Sequence, residues 1–190
     1  MKQTSGIAKN SAMLMAMNIA KMIFPLLTLP YLTRVLSTDC YGSVVYVKSV
    51  TTYLQLLVDF GFVLSATKEI VRVRHDKAAQ EKIMGDVLLA RLWLAGAALV
   101  ILVVLTAVLP ILRARPLLSL LSFLPVFLTL FLFDFLFRGM ERMEAIALRF
   151  VVMRGIATAL TFVLIRSDAD VLLIPLLDTL GSLAAVLMVF

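Results

Sequence analysis

The chain has 190 residues, of which 62% are hydrophobic and 16% charged, with a formal net charge of +6. Soluble domains average about half apolar and a quarter charged, so the composition excludes an ordinary soluble domain and points to an all-α polytopic membrane protein. In such a protein basic residues mainly set topology and do not signal nucleic-acid binding, and the single cysteine, Cys40, excludes an internal disulfide or a cysteine metal cluster.

Residues 1–10 are short and mildly basic, and no small-residue cleavage site ends the apolar stretch behind them. That stretch reads as a retained first span and not as a removed signal peptide. A bilayer-crossing helix needs roughly 20 residues, and the chain offers six such segments, at residues 11–36, 43–66, 83–112, 117–137, 145–165 and 171–190.

The first span contains Pro25 and Pro30. Each removes a helix hydrogen bond and crowds the preceding turn, so a bend or a broken helix is expected there. Interrupted spans often flank transporter substrate sites. The polar turn from Ser37 to Gly42 leads to the second span. Residues 68–82 are charged with Ile70, Val71 and Val73 interspersed, which predicts an amphipathic surface helix. His75, the only histidine, falls there and reads as a solvated loop residue, since no second histidine or cysteine lies near it. Charged turns at residues 113–116, 138–144 and 166–170 separate the later spans.

Lys and Arg fall unevenly in the turns. Ten, including Lys2, Lys9, Arg138, Arg142 and Arg149, lie on the side of the N-terminus, against four (Arg34, Arg113, Arg115 and Arg166) on the other. The excess places the N-terminus in the cytoplasm.

Polar residues inside the spans carry the functional signal. Asn18, Lys21, Pro25 and Thr28 recur at helical steps in the first span, Lys48, Thr52, Gln55 and Asp59 in the second, and Arg154, Thr158 and Thr161 in the fifth. Steps of three and four put residues on one helix face. A charge at the bilayer centre costs about 2.5–3.5 kcal/mol on insertion scales, so such faces are expected to line a water-filled cavity or meet other helices.

Lys21, Lys48, Arg91 and Arg154 are the candidate cavity cations, suited to an anion because Arg and Lys hold phosphate through charge-assisted hydrogen bonds. Internal pairing is the competing reading, with Asp86 or Asp134 neutralising Arg91, Asp59 reaching a neighbouring helix, and Asp134 pairing with Arg138 along one helix. The sequence holds no phosphate-cradling glycine loop and no His, Cys or carboxylate cluster suited to catalysis. Neither an enzyme nor a cofactor is therefore expected.

Three stretches carry a family likeness. The run from Pro25 to Leu36, with Tyr41-Gly42 after it, resembles the first span and turn of the O-antigen and polysaccharide-lipid flippases. Asp59-Phe60-Gly61-Phe62 with the run from Ser65 to Ile70 resembles the end of that family's second span, and the run from Phe137 to Met143 is similar to its turn between spans four and five.

The resemblance implies a six-helix bundle equivalent to the N-terminal lobe of a multidrug-exporter-like transporter. A second lobe would come from a C-terminal half or a partner protein. It implies movement of undecaprenyl-diphosphate-linked oligosaccharide units across the bacterial inner membrane by alternating access, with cavity cations receiving the diphosphate and Asp59 tuning their charge or coupling a cation. A cation-coupled drug exporter of the same fold would favour carboxylates over bases in its cavity. A non-transporting scaffold for polysaccharide assembly would tolerate loss of every cavity charge.

Overall fold

The protein is described from a computed structural model covering residues 2–188, with side chains from residue 11 onward. The last two residues of the expected sixth span and the side chains of Lys2 and Lys9 lie outside the described residues.

The described secondary structure is helical. The first span is α1 (Lys2–Val35), and the second is α2 (Thr38–Asp59) followed by α3 (Phe62–Arg72). The third is α4 (Lys77–Val108) with the short α5 (Pro110–Ala114) behind it. The fourth is divided into α6 (Pro116–Leu121), α7 (Leu124–Leu128), a 3-10 turn (Thr129–Leu132) and α8 (Asp134–Gly139). The fifth is α9 (Met143–Leu164), and the sixth is a 3-10 turn (Asp168–Leu172) continued by α10 (Leu173–Leu187). Six helical stretches are long and apolar enough to cross a membrane.

The expected break at Pro25 or Pro30 is absent. α1 runs unbroken through Pro25 and Pro30, as membrane helices tolerate when neighbouring groups absorb the freed backbone. The interruptions fall elsewhere. α2 gives way to α3 at Phe60 and Gly61, both at positive φ (30° and 76°), and the fourth span breaks at Phe133 (φ 41°). Pro110, Pro116 and Pro125 open α5, α6 and α7, where a missing N–H costs nothing because first-turn donors have no helical acceptor.

The expected surface helix over 68–82 is absent as a separate element. α3 extends the second span to Arg72, a turn carrying the exposed His75 follows, and α4 begins at Lys77. Ile70 draws this segment inward: it is fully buried against Phe135 and Val87. Asp76 then caps α4 by accepting from the Ala79 amide at 3.1 Å.

Packing divides the helices into two groups. α1 lies along α9 and α9 along α10, while α2 packs on α4 and α3 on α8. On α4 the buried positions Val87, Arg91, Ala95, Ala98, Leu102 and Thr106 recur every three or four residues, one face of the helix. The opposite face exposes Trp93 at 82%, as a lipid-facing side chain would be. The groups are joined at one end by a core of Leu36, Cys40, Val47, Leu112, Leu118 and Ile165.

At that end the Tyr31 ring packs tilted against Phe162, centroids 4.7 Å apart, and its hydroxyl donates to the carbonyls of Ile165 (2.7 Å) and Phe162 (2.9 Å). The Ser37 amide donates to Asp168 at 2.8 Å. Tyr31→Phe keeps the ring and loses the hydroxyl. It is expected to lower unfolding free energy by about 1 kcal/mol, read as a downward shift in thermal unfolding of the detergent-solubilised protein, and an unshifted transition would count against this tie.

Candidate functional site

Between the two helix groups lies a cleft made of three adjoining cavities of about 230, 210 and 40 Å³. Asp178 on α10 borders all three. Lys21, Arg154 and Asp178 each lie near the middle of their spans (Ser11–Val35, Met143–Leu164 and Asp168–Leu187), while Lys48 lies in the first third of Thr38–Arg72, toward the end where α1 and α2 meet.

The helical stripes read from sequence mostly converge here. α1 contributes Lys21 and Thr28, α2 contributes Lys48, Thr52 and Gln55, and α9 contributes Arg154, Thr158 and Thr161. The hydroxyls are satisfied locally: Thr52 donates to the Lys48 carbonyl at 2.7 Å and Thr161 to the Ala157 carbonyl at 2.9 Å. Gln55 reaches across to the Thr129 hydroxyl at 3.0 Å, tying α2 to the broken fourth span.

The three central cations share little compensating charge. Arg154 Nη1 lies 2.5 Å from Asp178 Oδ1, and Lys48 Nζ lies 3.4 Å from Oδ2 of the same carboxylate. Lys21 meets no carboxylate among the described residues, and its ammonium stands 5.5 Å from the centre of the Phe150 ring. A cation over a ring face gains about 0.5–2 kcal/mol without being neutralised. Two cations on one carboxylate, with a third beside them, leave the centre of the cleft positive.

Arg91 departs from the expectation. It is buried on α4, borders none of the three cavities, and its guanidinium lies 2.6 Å from Asp59 on α2. Asp59 also accepts from Gln55 at 3.0 Å. The position on a span was read correctly, but the α2–α4 contact turns both charges into the helix interface, away from the cleft. Asp59, not Asp86 or Asp134, is the partner of Arg91. Asn18, the first residue of the α1 stripe, is exposed and borders none of the three cavities either.

Sequence reasoning did not place Asp178, Arg149 or Arg138 in the cleft, yet all three line its cavity of about 230 Å³. Arg149 was counted as a loop base, yet it lies inside α9, is buried, and pairs with Asp134. Removing it leaves nine loop bases on the side of the N-terminus against four. The same contact corrects the expected Asp134–Arg138 pair, since Asp134 reaches the neighbouring helix instead. Arg138 is left with a buried Nε that has no hydrogen-bond partner. Steps of five from Arg149 to Arg154 do not fit one narrow stripe, so helical spacing alone did not join them. Around the whole cleft, Lys21, Lys48, Arg138, Arg149 and Arg154 face two carboxylates, Asp134 and Asp178.

The protein is thus a helical, multi-pass membrane protein with a basic cleft between its helix groups. Residues 7–190 match the model of the family described as polysaccharide biosynthesis protein, and the chain belongs to that family. It is 29% identical over 164 residues to a protein of Shigella dysenteriae named "Putative O-antigen transporter", covering 86% of this chain and 41% of that protein. It is 26% identical to a protein of Escherichia coli (strain K12) bearing the same name, covering 86% and 39%. The chain thus spans about two fifths of the length of these relatives. No solved structure matches it.

Proposed function

We propose that this chain forms the N-terminal lobe of a flippase that carries undecaprenyl-diphosphate-linked oligosaccharide units from the cytoplasmic to the periplasmic leaflet of the bacterial inner membrane, with its N-terminus in the cytoplasm. The second lobe is supplied by a C-terminal half or by a partner, and rocking of the two lobes exposes the cleft to each side in turn. The cleft receives the diphosphate while the polyprenyl tail stays among the lipids.

The observation that carries this reading is the uncompensated positive charge around Asp178, formed by Lys21, Lys48 and Arg154. In a partly desolvated site two opposite unit charges 4 Å apart attract by about 4 kcal/mol at an effective dielectric of 20. A diphosphate can therefore satisfy what the protein leaves open. A cation-coupled drug exporter would call for surplus carboxylates, and this cleft has the opposite balance. Arg91 and Asp59 belong in this reading to the framework and not to the cargo path, while Pro25 and Pro30 place a locally weakened backbone beside Lys21 and Thr28.

The test is complementation of a strain lacking the full-length protein. Lys21→Ala combined with Arg154→Ala is expected to reduce surface polysaccharide at least tenfold while the protein stays in the membrane at normal levels, the size expected from losing two charged contacts at about 1.4 kcal/mol per factor of ten. Undiminished polysaccharide with normal protein levels would favour the scaffold role and overturn the transport reading.

A further inference from the structure

Among the described residues Asp178 is the one shared by all three cavities, and it links the two helix groups across the cleft in addition to the core that joins them at one end. Its two oxygens are used separately, Oδ1 by Arg154 of α9 and Oδ2 by Lys48 of α2. α9 belongs to one helix group and α2 to the other, so a single carboxylate bridges the cleft at its centre. Its side chain is 24% exposed, and those of Arg154 and Lys48 are 30% and 54% exposed. These groups are therefore reachable by a ligand, whereas in the Arg91–Asp59 pair the cation is only 7% exposed and only the carboxylate, at 32%, is open.

A carboxylate with one oxygen on each of two cations mimics what one phosphate would do at the same place. Phosphate oxygens accept charge-assisted hydrogen bonds from Lys and Arg by the same geometry. Cargo and Asp178 therefore compete for Arg154 and Lys48.

We propose that Asp178 is a built-in competitor for the phosphate seat. With the cleft empty it occupies Lys48 and Arg154 and ties α2 to α9 across the cleft. When a lipid diphosphate enters, its phosphate takes over the two cations, Asp178 is released, and the tie between the helix groups opens. When cargo leaves, Asp178 returns. The competition lowers cargo affinity and so allows release on the far side. No covalent step is involved. This inference rests on the reading of the cleft as a diphosphate site, and adds to it a residue that sets affinity and couples occupancy to the gap between the helix groups.

The test uses the purified full-length protein in detergent, with geranyl diphosphate as a soluble probe and titration calorimetry as the readout. Asp178→Asn keeps the shape and removes the competing charge, and it is expected to tighten probe binding about tenfold. Asp178→Glu keeps the charge and is expected to bind as the unaltered protein does. Arg154→Gln with Lys48→Gln is expected to lose binding. Thermal unfolding with and without probe provides a second measure: Asp178→Asn starts less stable, with two bare cations side by side, and gains a larger upward shift from the probe.

Equal or weaker binding by Asp178→Asn, while the Arg154 and Lys48 replacements lose it, would overturn the competitor and leave the diphosphate site standing. Binding that survives loss of Arg154 and Lys48 would overturn the competitor as well, by placing the phosphate elsewhere. Absence of binding in every variant would overturn both.

Discussion

Replacing Asp59 by Ala is expected to lower the unfolding free energy by about 3 kcal/mol, the low end of the range for removing one member of a buried ion pair, because the Asp59 side chain is 32% exposed. The guanidinium of Arg91 is the reason. Its side chain is 7% exposed, its Nη2 lies 2.6 Å from Asp59 Oδ1, and its Nε is buried without a hydrogen-bond partner. With Asp59 gone, Arg91 keeps its desolvation cost and loses its compensation. Lipid around α4 offers no water to replace it.

The double replacement Asp59→Leu with Arg91→Met removes both charges and keeps apolar volume, and it is expected to recover most of that loss, because replacing a buried pair with apolar groups is often near neutral. Unfolding in mixed micelles by increasing denaturing detergent measures the difference. A double variant as unstable as Asp59→Ala alone would show that the pair is not the source. Surface polysaccharide measured on the double variant, at restored protein levels, separates this framework role from a cargo role for Arg91.

Gly139→Ala is the second large effect, and it acts through shape. A Cβ at Gly139 would stand 2.5 Å from Ile70 Cγ2 and 2.8 Å from Ile70 Cβ, with the Thr67 carbonyl oxygen at 3.3 Å. Ile70 is itself fully buried, with Phe135 and Val87 beside it, so it has nowhere to retreat. Overpacking of this kind costs about 1–3 kcal/mol, and here it pushes α3 off α8.

Ile70→Ala alone leaves a cavity and is expected to cost about 2–5 kcal/mol. The two together are expected to cost less than their sum, because the smaller side chain makes room for the new methyl. Such coupling between touching residues runs to about 0.5–3 kcal/mol. Strict additivity in the same unfolding measurement would mean that the two helices do not meet at these residues.

These two contacts explain what the family-like stretches do in the fold. The run from Ser65 to Ile70 lies on α3 and the run from Phe137 to Met143 spans the end of α8, and α3 packs on α8 through Ile70 and Gly139. The Arg74 guanidinium closes the same end by donating to the Met140 carbonyl at 3.1 Å. In the first stretch, Tyr31 fastens α1 to the end of α9. The residues that carried the resemblance thus include several that hold the bundle together, while most of the cleft charges lie outside them.

Hydrophobicity and its interruptions by themselves determined the class of protein, the number of spans and most of the turns, because runs of about 20 apolar residues have few other stable homes. Helical spacing also determined that Lys21, Lys48 and Arg154 share faces with hydroxyl and amide groups, since that depends only on the repeat of the helix.

Tertiary structure decided which charge met which. Lys48 and Asp178 are 130 residues apart in sequence, and Asp59 and Arg91 are 32 apart. No periodicity reaches across such distances, and rotating α2 or α4 about its axis would send the same side chains to other partners. Arg91 therefore became part of the framework, Arg149 moved from a counted loop into the cleft, and Asp178 became the centre of the site. Pairing energy depends on separation and burial, and both were fixed only when the helices packed.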